Sequence, residues 1–200
     1  MKETIVMAVK LSLICAVAAL ALANVADVTR EPIAASQARA QREAVEAVLP
    51  SFVRLAVDTL QTDTDQERIY FRGVDGEQTT GTAFKSVSGL GYSGEIEIMV
   101  GVDASGQVNG VRVLRHAETP GLGANYAAPP LLDSYYKGRA LAGNWKLKKD
   151  GGEVDAITGA TVTGRAIADA IEQGAERFAA DEPRMPALVA PATEPEGNQP

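Results

Sequence analysis

The stretch "GEIEIMVGVDASGQVNGVRVLRHAE", residues 94–118, decides the fold. In its first ten residues the apolar side chains of Ile96, Ile98, Val100 and Val102 fall on one face of a strand, and Glu95 and Glu97 fall on the other. Such alternation predicts a β-strand that buries one face. The polar "ASGQ" then reverses the chain and "VNGVRVLRHAE" runs back, so the stretch predicts a β-hairpin. A half-buried hairpin is typical of an antiparallel sheet with one face covered.

Two earlier strands and one later helix complete the predicted domain, residues 51–180. The strands are "ERIYFRGV" and "TAFKSV", which flank the turn-rich "DGEQTTG". Apolar residues recur at helical spacing from Thr161 to Ala180, so a helix is predicted there. We therefore expect an α+β fold with a curved, mainly antiparallel sheet and packed helices. Residues 181–200 hold five of the ten prolines and no periodicity, which predicts a disordered tail.

The N-terminal segment predicts a membrane anchor. Residues 5–26 are mostly apolar and carry Lys10 as their only charge, and as a helix they are long enough to cross the hydrocarbon core of a bilayer. Lys2 and Lys10 precede the uninterrupted apolar part of this segment, and the residues that follow it carry no net positive charge. The positive-inside rule therefore puts residues 1–4 in the cytoplasm and the domain outside. Residues 27–50 are good helix formers and predict a stalk helix. The alternative is a cleaved signal peptide with its small-residue site at Ala21–Ala23, and both interpretations export the domain.

Charge and cysteine content exclude several classes of function. The chain has a net charge of −7, whereas a nucleic-acid partner requires a basic face. Cys15 is the only cysteine, so the chain alone builds neither a disulfide framework nor a thiolate metal site.

The segment "HAETPGLG", residues 116–123, leaves the predicted hairpin and gathers groups that bind ligands. It contains the only histidine, a carboxylate, a hydroxyl and a turn whose glycines allow close backbone approach to a ligand. The simpler interpretation is a strand-ending turn with a surface histidine. A metal site built on His116 and Glu118 lacks an evident third ligand.

The segment "DAITGATVTGRAI", residues 155–167, places Thr158 and Thr161 around the start of the predicted helix. Threonine hydroxyls in this position commonly cap a helix, which is the first interpretation. The second is a phosphate site, because Gly159 removes side-chain bulk and the first N–H groups of a helix attract anions. No base lies close in sequence, so a covalent bond to either threonine would need a separate enzyme.

Taken together, these segments resemble one family. The apolar anchor, the stalk, "GYSGEIEIMVGVD", "HAETPGLG" and "DAITGAT" occur in the order and at the spacing of the G subunit of the Rnf ion-translocating oxidoreductase. The resemblance extends over residues 1–180. The NqrC protein of the sodium-pumping NADH:quinone reductase is a related alternative, and the shortness of this chain favours the Rnf family.

The resemblance implies a covalent flavoprotein. In that family a FAD-dependent flavin transferase esterifies the phosphate of FMN to the last threonine of the motif, which is Thr161 here. Asp155 matches the acidic residue that the transferase recognises. The other positions that match flavin-binding segments are Thr158, Gly159, Ala160, Glu118, Thr119, Leu122 and Gly123. A looser match suggests Lys146–Lys149 as a contact for flavin or phosphate. Gly164 departs from the family's hydroxyl residue, and we expect it to loosen the helix start.

The activity that the resemblance implies is electron relay within a complex. The chain would be a redox subunit of an ion-translocating electron transport chain linked to ferredoxin and NAD, with no catalytic residue and no metal of its own. Its partners would be the membrane, the other membrane, iron–sulfur and flavin subunits, and the transferase. It would cross the inner membrane once. A cofactor-free extracytoplasmic binding module and a metalloenzyme using His116 and Glu118 stay open as alternatives.

Overall fold

The computed structural model describes residues 2–61 and 67–186, and these form two compact units divided between Arg42 and Glu43. The first helix, α1 (Lys2–Val48), runs without interruption through the predicted span 5–26 and most of the predicted stalk, with Pro32 inside it. Among the described residues, α1 alone is long and apolar enough to cross a membrane, a test that a signal sequence also passes. The predicted boundaries between anchor, stalk and domain stay predictions.

The second unit is built on a five-stranded antiparallel sheet. The strands are β1 (Arg54–Gln61), β2 (Glu67–Asp75), β3 (Gln78–Gly91), β4 (Gly94–Asp103) and β5 (Val108–Arg115). They lie in the sheet in the order in which they follow along the chain, so each strand pairs with its neighbour in sequence. The predicted fold class and the predicted hairpin, β4–β5, are confirmed. The strand β1 was not predicted.

Four helices accompany the sheet in the described residues: α1, α2 (Gly123–Tyr126), α3 (Pro129–Tyr136) and α4 (Thr161–Asp181). The main core lies between the sheet and α4, where the apolar positions of β4 pack in one cluster with Ile167 and Ile171. Alternation in β4 therefore buries the face that the sequence predicts. The long helix α4 spans the predicted helix, whereas α2 and α3 were not predicted.

The other face of the sheet is covered by the last turn of α1. Val45 and Val48 are buried there against Met99 of β4. The side-chain amide of Asn109 donates a hydrogen bond of 2.8 Å to the carbonyl of Val48, which satisfies an otherwise free carbonyl at the helix end. Gly101 makes this approach possible, because a Cβ at that position would overlap the Val48 carbonyl.

The C-terminal end of α4 is fixed to β2 by a buried carboxylate. Asp181 accepts hydrogen bonds from the Tyr70 hydroxyl at 2.7 Å and from Arg68 at 2.9 Å. Burial alone would raise the pKa of Asp181, but the bonds from Tyr70 and Arg68 outweigh it and lower that pKa below its ordinary value. The predicted tail begins at residue 181, but Asp181 is the last residue of α4 and a 3-10 turn follows at Glu182–Arg184. The first residues of the predicted tail therefore belong to the domain. Residues 187–200 of that tail lie outside the described residues.

Replacing Gly101 by alanine is expected to lower the free energy of unfolding by about 1–3 kcal/mol, because the added methyl group meets backbone and not a movable side chain. The fluorescence of Trp145, the only tryptophan, reports unfolding of the full-length protein in detergent. Gly89→Ala is the matched control, since a Cβ at Gly89 in β3 would have no neighbour within 4 Å. Equal losses in the two variants would contradict the proposed close approach.

Replacing Asp181 by asparagine is expected to cost about 1–3 kcal/mol at neutral pH, because Arg68 loses its charged acceptor. The folded-state pKa of Asp181 is lowered, so its contribution is complete above the unfolded-state pKa and disappears as the pH falls through the folded-state value. The difference in unfolding free energy between wild type and Asp181→Asn should therefore shrink below about pH 4. A difference that stays constant down to pH 2 would rule out this ion pair as its source.

Candidate functional site

A cleft of about 490 Å³ forms where three separate segments of the second unit meet. They are the turn between β3 and β4, the loop that follows β5, and the turn that leads into α4. We call it the Thr161 cleft, and it is lined by Tyr92, Glu118, Thr119, Leu122, Gly123, Gly159, Ala160, Thr161, Val162 and Thr163. Most of the predicted site residues are therefore brought together. Asp155 and Thr158 are not among the lining residues, and Tyr92, Val162 and Thr163 line the cleft without having been predicted.

The helix α4 begins at this cleft without a side-chain cap. Ala160 occupies the N-cap position and Thr161 is the first helical residue, so neither threonine of the motif caps the helix. In the described residues, the first backbone N–H of α4 that finds a carbonyl is that of Gly164, which donates to Ala160 at 2.9 Å. Gly159, with φ at +82°, supplies the left-handed turn before the helix. The N–H groups of the first turn thus lie at the cleft and are available to an anion.

Thr161 lies half-buried at the cleft, and its hydroxyl makes no hydrogen bond within the described part of the chain. The side chain of Leu122 comes close to the preceding turn, since a Cβ at Gly159 would lie 3.2 Å from its Cδ2. The exposed side chains of Leu122 and Val162 give the cleft an apolar lining beside the hydroxyl. A ligand with a phosphate and a flat apolar part matches these surroundings.

Glu118 joins the three segments of the cleft. Its side chain is buried, one carboxylate oxygen accepts a hydrogen bond from the backbone N–H of Ser93 at 3.1 Å, and the other accepts from the Thr163 hydroxyl at 2.5 Å. Gly123 allows this packing, because a Cβ there would overlap both Glu118 and Thr163. Both carboxylate oxygens are engaged by the protein itself, so Glu118 organises the cleft.

Asp155 lies outside the cleft, on an exposed surface next to it. Its carboxylate pairs with the ammonium group of Lys148 at 2.8 Å, and Lys148 begins a 3-10 turn, Lys148–Asp150. At the end of that turn Asp150 accepts two hydrogen bonds from Arg165 of α4, which lower the pKa of Asp150. None of the described residues that line the cleft is a lysine, so the expected contact of Lys146–Lys149 with a ligand has no support in this geometry.

Behind the segment 155–161 lies a group of buried aromatic side chains. The hydroxyl of Tyr126 lies 3.1 Å from that of Tyr136 and 3.3 Å from the carbonyl of Asp155, and burial raises the pKa of Tyr126 to about 12. The ring of Tyr126 packs on Gly164, where a Cβ would lie 3.0 Å from the ring. Gly164 thus makes room for this ring, a role that the sequence did not predict, and its expected effect on the helix start stays a prediction.

His116 does not form a metal site in the described residues. Its Nδ1 accepts a hydrogen bond of 3.2 Å from the backbone N–H of Glu118, whose carboxylate points into the protein. No group of three histidine, cysteine, aspartate or glutamate side chains in residues 2–61 and 67–186 is arranged to hold a metal ion. A larger cleft of about 880 Å³ lies near Trp145 and Phe178, and none of the predicted site residues lines it.

Comparison with known proteins finds one matching domain profile and several relatives that share one name. The profile of the FMN-binding domain matches residues 91–176, which include all the residues that line the Thr161 cleft. The chain is 42% identical over 110 residues to the G subunit of the ion-translocating oxidoreductase complex of Vibrio vulnificus, a match to 50% of this chain and 49% of that protein. Against the G subunit of Aliivibrio fischeri the identity is 41%, over 52% of each chain. The matched region thus spans about half the length of these two relatives.

Two other relatives match over most of their length. The G subunit of Cereibacter sphaeroides is 35% identical over 180 residues, which cover 84% of this chain and 81% of the relative. The G subunit of Methanosarcina acetivorans is 30% identical over 185 residues, which cover 90% of this chain and 97% of the relative. The similarity to these two relatives therefore extends beyond residues 91–176, the part that the FMN-binding domain profile matches.

Replacing Thr163 by valine should lower the free energy of unfolding by about 1–3 kcal/mol, because one oxygen of the buried Glu118 carboxylate loses its donor. Thr161→Val makes the same substitution two residues earlier, at a hydroxyl without a hydrogen bond in residues 2–61 and 67–186, and should change stability by less than about 0.5 kcal/mol. Denaturant unfolding of cofactor-free protein, followed by Trp145 fluorescence, measures both. Identical stability in the two variants would show that the bond to Glu118 contributes nothing.

Proposed function

This chain belongs to the family of G subunits of ion-translocating oxidoreductase complexes, and on that premise we propose that it is a membrane-anchored flavoprotein carrying FMN as a phosphoester on Thr161. One observation carries the proposal. The hydroxyl of Thr161 has no partner within the described residues and stands at the uncapped N-terminus of α4, beside a cleft with an apolar lining. The arrangement provides a hydroxyl to esterify, donors for a phosphate and a recess for a ring.

The start of α4 fits a phosphate in both shape and charge. Gly159 removes side-chain bulk in front of the first N–H groups, and Ala160 leaves them without a side-chain acceptor. The helix dipole favours an anion at this end by about 0.3–1 kcal/mol. Glycine and alanine before the threonine are therefore part of the proposed site, because a bulkier side chain or a capping hydroxyl would compete with the phosphate.

A separate enzyme must form the proposed bond. No base contacts the Thr161 hydroxyl in the described residues, so this threonine has no means of activation within the chain. We infer that a FAD-dependent flavin transferase moves the FMN half of FAD to Thr161: the new phosphoester bond replaces the pyrophosphate bond of FAD, and AMP leaves with the hydroxyl proton. We also infer that this enzyme recognises Asp155, which is exposed beside the motif. The ion pair with Lys148 would hold the Asp155 carboxylate in a fixed place for that recognition.

The proposed role is electron relay between the other subunits of the complex. FMN, when bound, supplies one-electron redox chemistry, and the protein supplies its position and surroundings. Thr161 tethers the group, Leu122 and Val162 contribute apolar contact, and Glu118 holds the walls of the cleft together. We place this role in a ferredoxin- and NAD-linked chain that moves ions across the membrane, with the other membrane, iron–sulfur and flavin subunits as partners.

The N-terminal helix would anchor the domain. We propose that residues 5–26 cross the inner membrane, that residues 1–4 lie in the cytoplasm, and that the domain lies on the opposite side. Residues 27–50 would then lead from the membrane into residues 51–180. Covalent attachment suits this location, because a domain outside the cytoplasm cannot rebind lost FMN from the cytoplasmic pool.

Thr161→Val is expected to abolish attachment of FMN in cells that also express the transferase. Intact-mass measurement should show wild-type protein heavier by one FMN less one water, and in-gel flavin fluorescence should persist under denaturing conditions. Thr59→Val is the matched control and should keep the added mass, because Thr59 is an exposed residue of β1 outside the motif and does not line the cleft.

Fluorescent Thr161→Val protein would contradict the proposed attachment site. A colourless wild type of unmodified mass would instead support the cofactor-free binding module. In either case Thr161→Val should fold, since the Thr161 hydroxyl makes no hydrogen bond to any other residue that the structure describes.

A further inference from the structure

Large apolar side chains are exposed around the Thr161 cleft. Tyr92 is 75% exposed, Leu122 52% and Val162 40%, and each comes from a different segment. Tyr92 belongs to the turn between β3 and β4, Leu122 to the loop after β5, and Val162 to the first turn of α4. Exposed apolar side chains that converge on one concave site usually contact a ligand.

The turn that carries Tyr92 has a defined backbone conformation. Gly91 and Gly94 pair with each other across it, and Gly94 has a φ of +123°, which a residue with a side chain rarely adopts. A Cβ at Gly91 would overlap the carbonyl of Gly94 and lie 3.0 Å from Glu118 Oε1. The two glycines thus let the turn close tightly over Glu118.

Glu118 holds this turn in place relative to α4. Its carboxylate accepts from the N–H of Ser93, next to Tyr92, and from the hydroxyl of Thr163, two residues after the proposed attachment site. Because the carboxylate is buried, loss of either donor would leave an oxygen without a partner away from water. The aromatic ring of Tyr92 and the tether at Thr161 are therefore linked through one side chain.

We propose that the ring of Tyr92 packs against the bound flavin and shields it from solvent, and that Glu118 is the positioning residue that holds Tyr92 there. This inference rests on the proposed function, because the flavin is the ligand that Thr161 would tether. Aromatic rings pack favourably on flat π-systems, and tyrosine loses little conformational freedom in doing so. A planar ligand in the cleft would cover the ring of Tyr92, which is otherwise exposed to water.

The test uses full-length protein in detergent, produced together with the transferase, and measures quenching of flavin fluorescence by iodide. Tyr92→Ala should raise the quenching constant severalfold, because iodide gains access to the ring, and Tyr92→Phe should preserve the wild-type value. Leu90→Ala is the matched control: Leu90 is also an exposed apolar residue of the same hairpin, but it does not line the cleft.

The variant Glu118→Gln tests whether Glu118 affects the flavin by holding Tyr92 in place or by contacting the flavin directly. If Glu118 acts through Tyr92, Glu118→Gln should raise the quenching constant in the wild-type background and have no further effect in the Tyr92→Ala background. Additive effects in the double variant would show that Glu118 acts independently of Tyr92, and would overturn its assignment as the positioning residue.

Intact mass distinguishes failure of this inference from failure of the proposed function. Wild-type protein without FMN mass would refute the proposed function and this inference with it. Tyr92→Ala protein that carries FMN and shows the wild-type quenching constant would refute the shielding role alone. Loss of FMN mass in Tyr92→Ala but not in Leu90→Ala would also overturn it, since Tyr92 would then act in attachment.

Discussion

A single buried carboxylate brings the parts of the candidate site together. Glu118 accepts hydrogen bonds from Ser93 and Thr163, which lie far from it and from each other in sequence. Moving a carboxylate from water into a protein interior costs several kcal/mol unless hydrogen-bond donors replace the lost water. The buried Glu118 therefore needs the hydrogen bonds from Ser93 and Thr163. Gly91 and Gly123 leave the space in which they form. The cleft exists because a hairpin turn, a loop and a helix all meet at this one group.

The position of α4 along β3 decides where its first residue lies. Near the middle of the helix Asp169 accepts a hydrogen bond of 2.5 Å from Ser88, and Gly174 allows β3 to approach, since a Cβ there would lie 2.7 Å from the ring of Phe84. At the far end Asp181 is bound to β2. Hydrogen bonds require a defined distance and angle, whereas apolar contacts alone would allow α4 to shift along its axis relative to the sheet. A displacement of one helical turn, about 5.4 Å, would break these bonds and carry Thr161 away from the cleft.

The sequence predicts those parts of the fold that depend on local pattern. The alternation of β4 and the period of α4 follow from which side chains each element buries, and both are confirmed. The strand β1 was missed because its most buried side chain is Asp58, which pairs with Arg72, so a buried charge interrupts the apolar alternation. Seven of the ten residues that line the cleft were predicted, through the family resemblance of two motifs, whereas Tyr92, Val162 and Thr163 were not. Tyr92 and Thr163 were missed because their partners are distant in sequence, although an aromatic residue between glycines in "GYSG" was a usable signal.

The start of α4 shows a conflict between stability and ligand binding. Serine, threonine, aspartate or asparagine at an N-cap stabilises a helix by about 0.5–2 kcal/mol relative to alanine, yet Ala160 holds that position between two threonines. A capping side chain would occupy the N–H groups that a phosphate on Thr161 would use. The helix therefore lacks the stabilisation of a side-chain cap at the end where a bound anion would stabilise it instead. The hydrogen bonds of Asp169 and Asp181 hold the rest of the helix against the sheet. Local rules of helix stability are broken where a binding site is expected, and the loss is offset elsewhere in the same helix.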